Sequence, residues 1–296
     1  STVVGYTQQE LLTYFDEYIT VIQNQFGGKE ELLDRIKHWY NGYTWDLKHY
    51  VYNPFSILNF FDAEKFRNYW FETGTPTFLI KLMRKNELYE VESLEVNEAS
   101  LSNYQLDKIS PPTLLFQTGY LTLKEDMGFG LYTLKYPNQE VKDSMLQYLI
   151  ADYTGGDNAL ASTPAQRMAQ ALTHGTIDKL PTHINALLSS IPYDLHQGNE
   201  AYYHTIMHLA FSLIGVYVQS EIHVAKGRLD SIVITDHTIY LFEFKVNSSA
   251  EIAIEQIKST GYADPYLNQD KAVVAIGVSF NTELKAVDSW LVEKVA

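Results

Sequence analysis

Apolar residues recur at three-to-four spacing from Thr7 to about Trp39: Leu11, Leu12, Phe15, Tyr18, Ile19 and Ile22, then Leu32, Leu33, Ile36 and Trp39. That spacing predicts amphipathic helices, the first opened by a capping box of Thr7 and Glu10. The next block, 39-WYNGYTWD-46 and 50-YVYNPFSILNFF-61, is aromatic and punctuated by Asn41-Gly42 and Asn53-Pro54, which mark turns. Its Trp and Tyr cluster lacks interleaved Lys or Arg, so it reads as core rather than as a base-stacking surface. From about Phe55 to Ser190 the pattern is mainly helical, with short helices at 164-PAQRMAQAL-172 and 183-HINALLSSI-191 and a loop at 154-TGGDNALASTP-164. Thr113 to Lys135 is the exception and predicts a β-hairpin turning at 125-EDMGFG-130.

After 192-PYDLHQGN-199 the pattern changes. Glu200 to Gly215 predicts one helix with Tyr203, Ile206, Met207, Ala210, Phe211 and Ile214 on one side and Gly215 as its C-cap. Strand patterns follow at Val216 to Val224, Asp230 to Thr235 and Thr238 to Val246, with Asp236-His237 as a two-residue turn. A helix from Ala250 to Tyr262 and a buried strand at 272-AVVAIGVSF-280 complete an α-β-β-β-α-β order. The fold class is therefore mixed α/β, helical first and sheet-containing last.

Length and composition set the outer limits. A chain of 296 residues that is 46% hydrophobic can bury a large core in two or three domains. It has no run of apolar residues long enough for a membrane span, and its first twelve residues carry no targeting pattern. Cysteine is absent, which excludes disulfides, Cys-ligated zinc and Cys nucleophiles, and suits a reducing cytoplasm. A formal charge of -14 argues against a general nucleic-acid coat, so any nucleic-acid contact is local or metal-assisted. A start without Met, running almost directly into helical pattern, suggests a fragment or processed product. No P-loop, HExxH or GxSxG motif is present, and His204 and His208, spaced i, i+4 on one helix, lack an apparent third ligand.

The charges that stand out lie in 228-RLDSIVITDHTIYLFEFK-245. Strand alternation puts Leu241, Glu243 and Lys245 on one face and Tyr240, Phe242 and Phe244 on the other. A two-residue turn at Asp236-His237 pairs Thr235 with Thr238, which places Asp230 opposite Glu243 and Arg228 opposite Lys245. Two facing carboxylates repel unless a cation lies between them, and hard oxygen ligands suit Mg²⁺ or Mn²⁺. With a lysine alongside, this set suits phosphodiester hydrolysis. The same three charges also fit a solvated strand face or a structural ion-pair cluster, and Arg228 fits either a phosphate contact or a pair with Glu221 or Asp230.

The order helix, Asp230, then Glu243-Phe244-Lys245 resembles the PD-(D/E)XK nuclease superfamily, with Leu229 where the pattern has Pro. The resemblance implies a restriction-endonuclease-like core, with Asp230 and Glu243 as metal ligands, the Phe244 carbonyl as a third, and Lys245 as the catalytic lysine. Glu221 looks like the superfamily's extra acidic residue, with Glu200 as a weaker candidate. Gln256 resembles the helix glutamine of RecB-like nucleases, although Thr260 stands where those have Tyr. The segments 227-GRLD-230, 256-QIKSTGYADPY-266 and 276-IGVSF-280 are similar to the C-terminal domain of a bacterial family whose N-terminal part is AAA-ATPase-like. The segments 39-WYNGYTW-45, 51-VYNPFSILNF-60 and 136-YPNQEV-141 resemble the end of that ATPase-like part and its connection to the nuclease-like domain.

On this basis residues 1–55 are the helical tail of an ATPase-like domain whose phosphate-binding loop lies upstream. Residues 56–197 form a helical middle region, and residues 198–296 the nuclease-like domain. Expected function is metal-dependent hydrolysis of DNA or RNA in the cytoplasm; the alternative is a catalytically silent nuclease-fold scaffold that binds a protein partner.

Overall fold

A computed structural model describes residues 4–73, 77–86, 88, 91–92, 94–101, 110–155, 158–192, 200–218 and 229–295. The chain divides into two compact units, Ser1–Met145 and Leu146–Ala296. In the first, helices α1 (Gln8–Tyr14), α2 (Asp16–Ile22) and α3 (Lys29–Tyr40) lead to strands β1 (Asn41–Tyr43) and β2 (Val51–Tyr52), then α4 (Pro54–Ala63) and α5 (Thr77–Lys85). Strand β3 (Glu95–Asn97), helices α6 (Glu98–Leu101) and α7 (Pro111–Gln117), and strands β4 (Thr122–Gly128) and β5 (Leu131–Lys135) come next. Helix α8 (Gln139–Tyr153) contains the boundary, and the second unit continues with α9 (Asn158–Thr173), α10 (Leu180–Ser189) and α11 (Glu200–Val218). It closes with β6 (Ser231–Ile234), β7 (Thr238–Val246), α12 (Ala250–Ser259), β8 (Ala272–Asn281) and β9 (Ala286–Lys294).

The first unit is built on the aromatic pattern. Leu11, Ile19, Leu32, Ile36, Tyr40, Tyr52 and Phe60 share one buried cluster, and the capping box opens α1 with Thr7 and Glu10 bonded both ways. Segments 39–45, 51–60 and 136–141 meet inside this unit. Gly42 has φ +129°, and a Cβ there would lie 1.8 Å from the Pro137 carbonyl oxygen, so a side chain would push the two segments apart. Glu140, fully buried, accepts from Ser56 Oγ (2.7 Å) and from the backbone N–H groups of Tyr69 (2.8 Å) and Trp70 (3.0 Å).

The second unit carries a four-stranded sheet in the order β6-β7-β8-β9, with β7 and β8 parallel and the other pairs antiparallel. Ser231 pairs with Phe242 and Ile234 with Ile239, the register that the Asp236-His237 turn predicts. The two faces of β7 meet different helices. Phe242 and Phe244 meet Phe211 of α11 at 4.7 and 5.6 Å between ring centroids, while Leu241 shares a buried cluster with Ile254 and Ile257 of α12. Helix α12 seats closely because β8 has Gly277 beneath it, where a Cβ would fall 2.3 Å from the Ala250 carbonyl oxygen. Gly277→Ala therefore forces α12 off the sheet, at a cost of about 2–3 kcal/mol measurable by denaturant unfolding.

Four sequence expectations change. Residues 111–117 are helix, not strand: Ser110 caps it and Pro111 and Pro112 occupy its first turn, so the hairpin is β4–β5 alone, turning at Phe129-Gly130. The loop expected at 154–164 is shorter, because α9 begins at Asn158 and carries Pro164 within it. Helix α11 does not stop at Gly215 but runs to Val218, so residues 216–218 are helix, and the rest of the strand expected at 216–224 lies outside the described residues. Strand β9 is an addition to the expected order.

Candidate active site

The site forms where β7 outlasts β6. Past the Ser231–Phe242 pair β6 offers no further backbone partner, and the Asp230 side chain takes over: its Oδ2 accepts from the Phe244 N–H at 2.7 Å. Strand alternation then points Glu243 and Lys245 to the α12 face. Glu243 is 3% exposed, and its Oε1 accepts from Lys245 Nζ at 2.7 Å. The same ammonium donates to Gln256 Oε1 of α12, also at 2.7 Å. Glu243 Oε2 is buried without a hydrogen-bond partner.

Burial is the main force pushing the Glu243 carboxyl above its ordinary range; the Lys245 hydrogen bond opposes it and the nearby Asp230 charge adds to it. The consequence for stability has a definite sign. Between the ordinary value of 4.5 and the raised one, the folded state holds a proton that the unfolded chain releases, so rising pH destabilises the fold through that window. Glu243→Gln removes the effect. Its unfolding midpoint should match wild type near pH 4 and exceed it progressively as pH rises above about 4.5, in the absence of metal. Equal midpoints across the range would refute the assignment of strain to this carboxylate.

Of the sequence-predicted residues, Asp230, Glu243, Phe244, Lys245 and Gln256 are brought together. Glu200 is the first residue of α11, and Glu221 and Arg228 lie outside the described residues. His204 is the residue that sequence reasoning missed in this place. Its Nδ1 stands 3.5 Å from Asp230 Oδ1, and its ring meets Phe244 edge-on at 6.4 Å. Spacing along the helix does not reveal this neighbour, because Asp230 comes from the strand margin.

The order of elements, the Asp on the margin of one strand and the Glu-x-Lys on the next now stand in one place. Residues 198–290 match the family model of the PD-(D/E)XK nuclease superfamily. Nucleases of this superfamily generally use divalent metal ions, so the nuclease-like region carries a metal-handling precedent. The whole chain is 33% identical over 307 residues to a protein of Azotobacter chroococcum mcd 1 described as "Uncharacterized protein in vnfD 5'region". The chain spans 57% of that relative's length. No solved structure matches. Among the described residues no helix is long and apolar enough to cross a membrane.

The donor set tests whether a cation fits. Among the described residues no three His, Asp or Glu side chains gather into a ready-made metal group. Yet Mg²⁺ usually takes only one or two carboxylates and fills its other positions with water and substrate phosphate. Two carboxylates, one with a buried oxygen that has no partner, fit that pattern.

Proposed function

We propose that the nuclease-like region hydrolyses phosphodiester bonds of DNA or RNA with Mg²⁺ or Mn²⁺, as part of a longer protein with an AAA-ATPase-like portion. The observation that carries the reading is Glu243 Oε2, a buried carboxylate oxygen without a partner, in a residue that feels the Asp230 charge. An isolated buried acceptor is costly, and a site that tolerates one has a use for it.

Asp230 and Glu243 would hold the ion, with the Phe244 carbonyl as a third donor. A bound divalent cation supplies Lewis-acid polarisation of a phosphoryl oxygen and lowers the pKa of a water molecule. Asp230 is braced by the Phe244 N–H and neighboured by His204, so its carboxylate is held in one orientation. Lys245 has three N–H donors, of which Glu243 and Gln256 take two; the third is left to orient a water or to meet charge developing on the phosphoryl group. Gln256 keeps the ammonium aimed at the site. In so acidic a protein, nucleic acid is engaged locally at this charged cluster.

A second reading, a silent nuclease-fold module that binds a protein partner, is favoured by one observation: Lys245 already neutralises Glu243, so the cluster is satisfied as an ion pair on one oxygen. Calorimetric titration with Mn²⁺ separates the two. The nuclease reading expects binding that Glu243→Gln weakens at least tenfold, and nicking of plasmid DNA or cleavage of RNA that requires the ion. No heat of binding together with no cleavage of either substrate sinks it.

A further inference from the structure

We propose that two copies of the protein associate by exchanging contacts, the tip of the β4–β5 hairpin of each resting on the outer face of α5 of the other. Gly128 pairs with Leu131, so Phe129 and Gly130 make a two-residue turn, and both have left-handed backbone (φ +55° and +75°). Asparagine or glycine suits the first of these positions, because a larger side chain there crowds its own carbonyl. Phenylalanine stands there instead, wholly in solvent, with Met127 and Leu131 exposed beside it. Its ring gains no packing within the chain to offset either the strained backbone or the exposed apolar surface, which is the mark of a contact surface.

Charge limits what that surface can meet. The strand order β3-β5-β4 puts Glu95 and Glu125 on either side of Thr133, on the same face as Leu131 two residues away. Glu98 lies against the turn, its N–H donating to the Gly130 carbonyl at 2.9 Å. All three glutamates are exposed, and among the described residues none has an ion-pair partner. The Tyr132 hydroxyl nearby is pushed above its ordinary range, by the Asp126 charge first and by Glu98 after it, so the field around the tip is negative. An apolar tip in an acidic collar repels a phosphate backbone or an anionic bilayer and fits a cationic surface with an apolar centre.

The chain itself carries such a surface. With a formal charge of -14 overall, it has among its described helices only α5 with three basic residues, Lys81, Arg84 and Lys85, and no acidic one. Leu79, Ile80 and Met83 bury one side of α5. Phe78, Lys81 and Lys85, three and four residues apart, share the outer side and are all exposed. Among the described residues neither lysine has a hydrogen-bond or ion-pair partner. An exposed ring flanked by unpaired ammonium groups therefore complements an exposed ring flanked by unpaired carboxylates, in shape of chemistry and in sign. Both surfaces belong to the first unit, and a two-fold exchange between copies uses each of them once. The association does not depend on the proposed hydrolysis.

Sedimentation equilibrium of the chain across a concentration series tests this directly. A dimer is expected, and Phe129→Asn should raise its dissociation constant at least about tenfold while the unfolding midpoint holds or rises, because asparagine suits the left-handed turn. That pairing of results separates a lost contact from a lost fold. Glu95→Lys/Glu125→Lys and Lys81→Glu/Lys85→Glu should each weaken the dimer at least about tenfold, and the variant combining all four changes should return to within about threefold of wild type. A wild-type chain monomeric at about 100 µM, a dimer indifferent to Phe129→Asn, or a combined variant no tighter than the two charge reversals would each overturn the proposal. So would a monomer that binds a labelled DNA strand of about 20 nucleotides and loses it in Lys81→Glu/Lys85→Glu, which would assign α5 to nucleic acid instead.

Discussion

Lys245→Met is expected to lower ion-dependent cleavage of nucleic acid by about 10²–10³-fold while leaving cation binding intact or tighter. Two effects of the ammonium are removed together. Its third N–H no longer meets charge developing at the phosphoryl group, which slows the reaction. Its bond to Glu243 Oε1 is lost as well, so that carboxylate has both oxygens free for a cation. Without metal the variant leaves the Glu243 carboxylate buried and uncompensated, and stability at neutral pH falls by roughly 1–3 kcal/mol. Saturating Mn²⁺ should return that stability, because an ion bound only by the folded state shifts unfolding by mass action. The silent-module reading expects the same fall with no recovery on adding the ion. Thermal melts of Lys245→Met with and without Mn²⁺, beside nicking assays, therefore separate a broken catalyst from a broken ion pair.

How far the sequence carried this site depended on the distance over which each signal acts. The β6–β7 register followed from local rules, a two-residue turn and a period of two, and these placed Asp230 by Glu243 correctly. Lys245 and Gln256 are eleven residues apart, and their contact depends on α12 folding back over β7, which Gly277 permits. No spacing rule announces that. His204 and Asp230 meet because α11 packs on the Phe242 and Phe244 face, so a search by helical spacing cannot find the pair. The misread elements have local causes. A short apolar run such as Thr113-Leu114-Leu115-Phe116 fits a strand or a buried helix equally, and the deciding signal was the Ser110-Pro111-Pro112 start rather than the run. Gly215 lies inside α11 because packing of its flanks outweighs the modest cost of glycine in a helix; Phe211, Leu213 and Ile214 are all buried.

Glu140→Ala is the substitution expected to cost the first unit most, about 3–5 kcal/mol in denaturant unfolding. The residue lies within 136-YPNQEV-141, where sequence reading assigned it no role, because its partners are Ser56, Tyr69 and Trp70, far away along the chain. Truncation leaves two backbone N–H groups and a hydroxyl facing a cavity, with no acceptor and little access to water. The carboxyl is nevertheless pushed above its ordinary value, because burial outweighs the three hydrogen bonds. Burial thus disfavours the charged form, and what the three donors require is acceptor oxygen in a fixed place. Glu140→Gln keeps one oxygen for the Tyr69 and Trp70 N–H groups and lets the Ser56 hydroxyl turn to accept from the amide, so its cost should stay within about 1 kcal/mol. Alanine and glutamine variants losing equal stability would show that the charge itself holds the three segments together, and would contradict the acceptor argument.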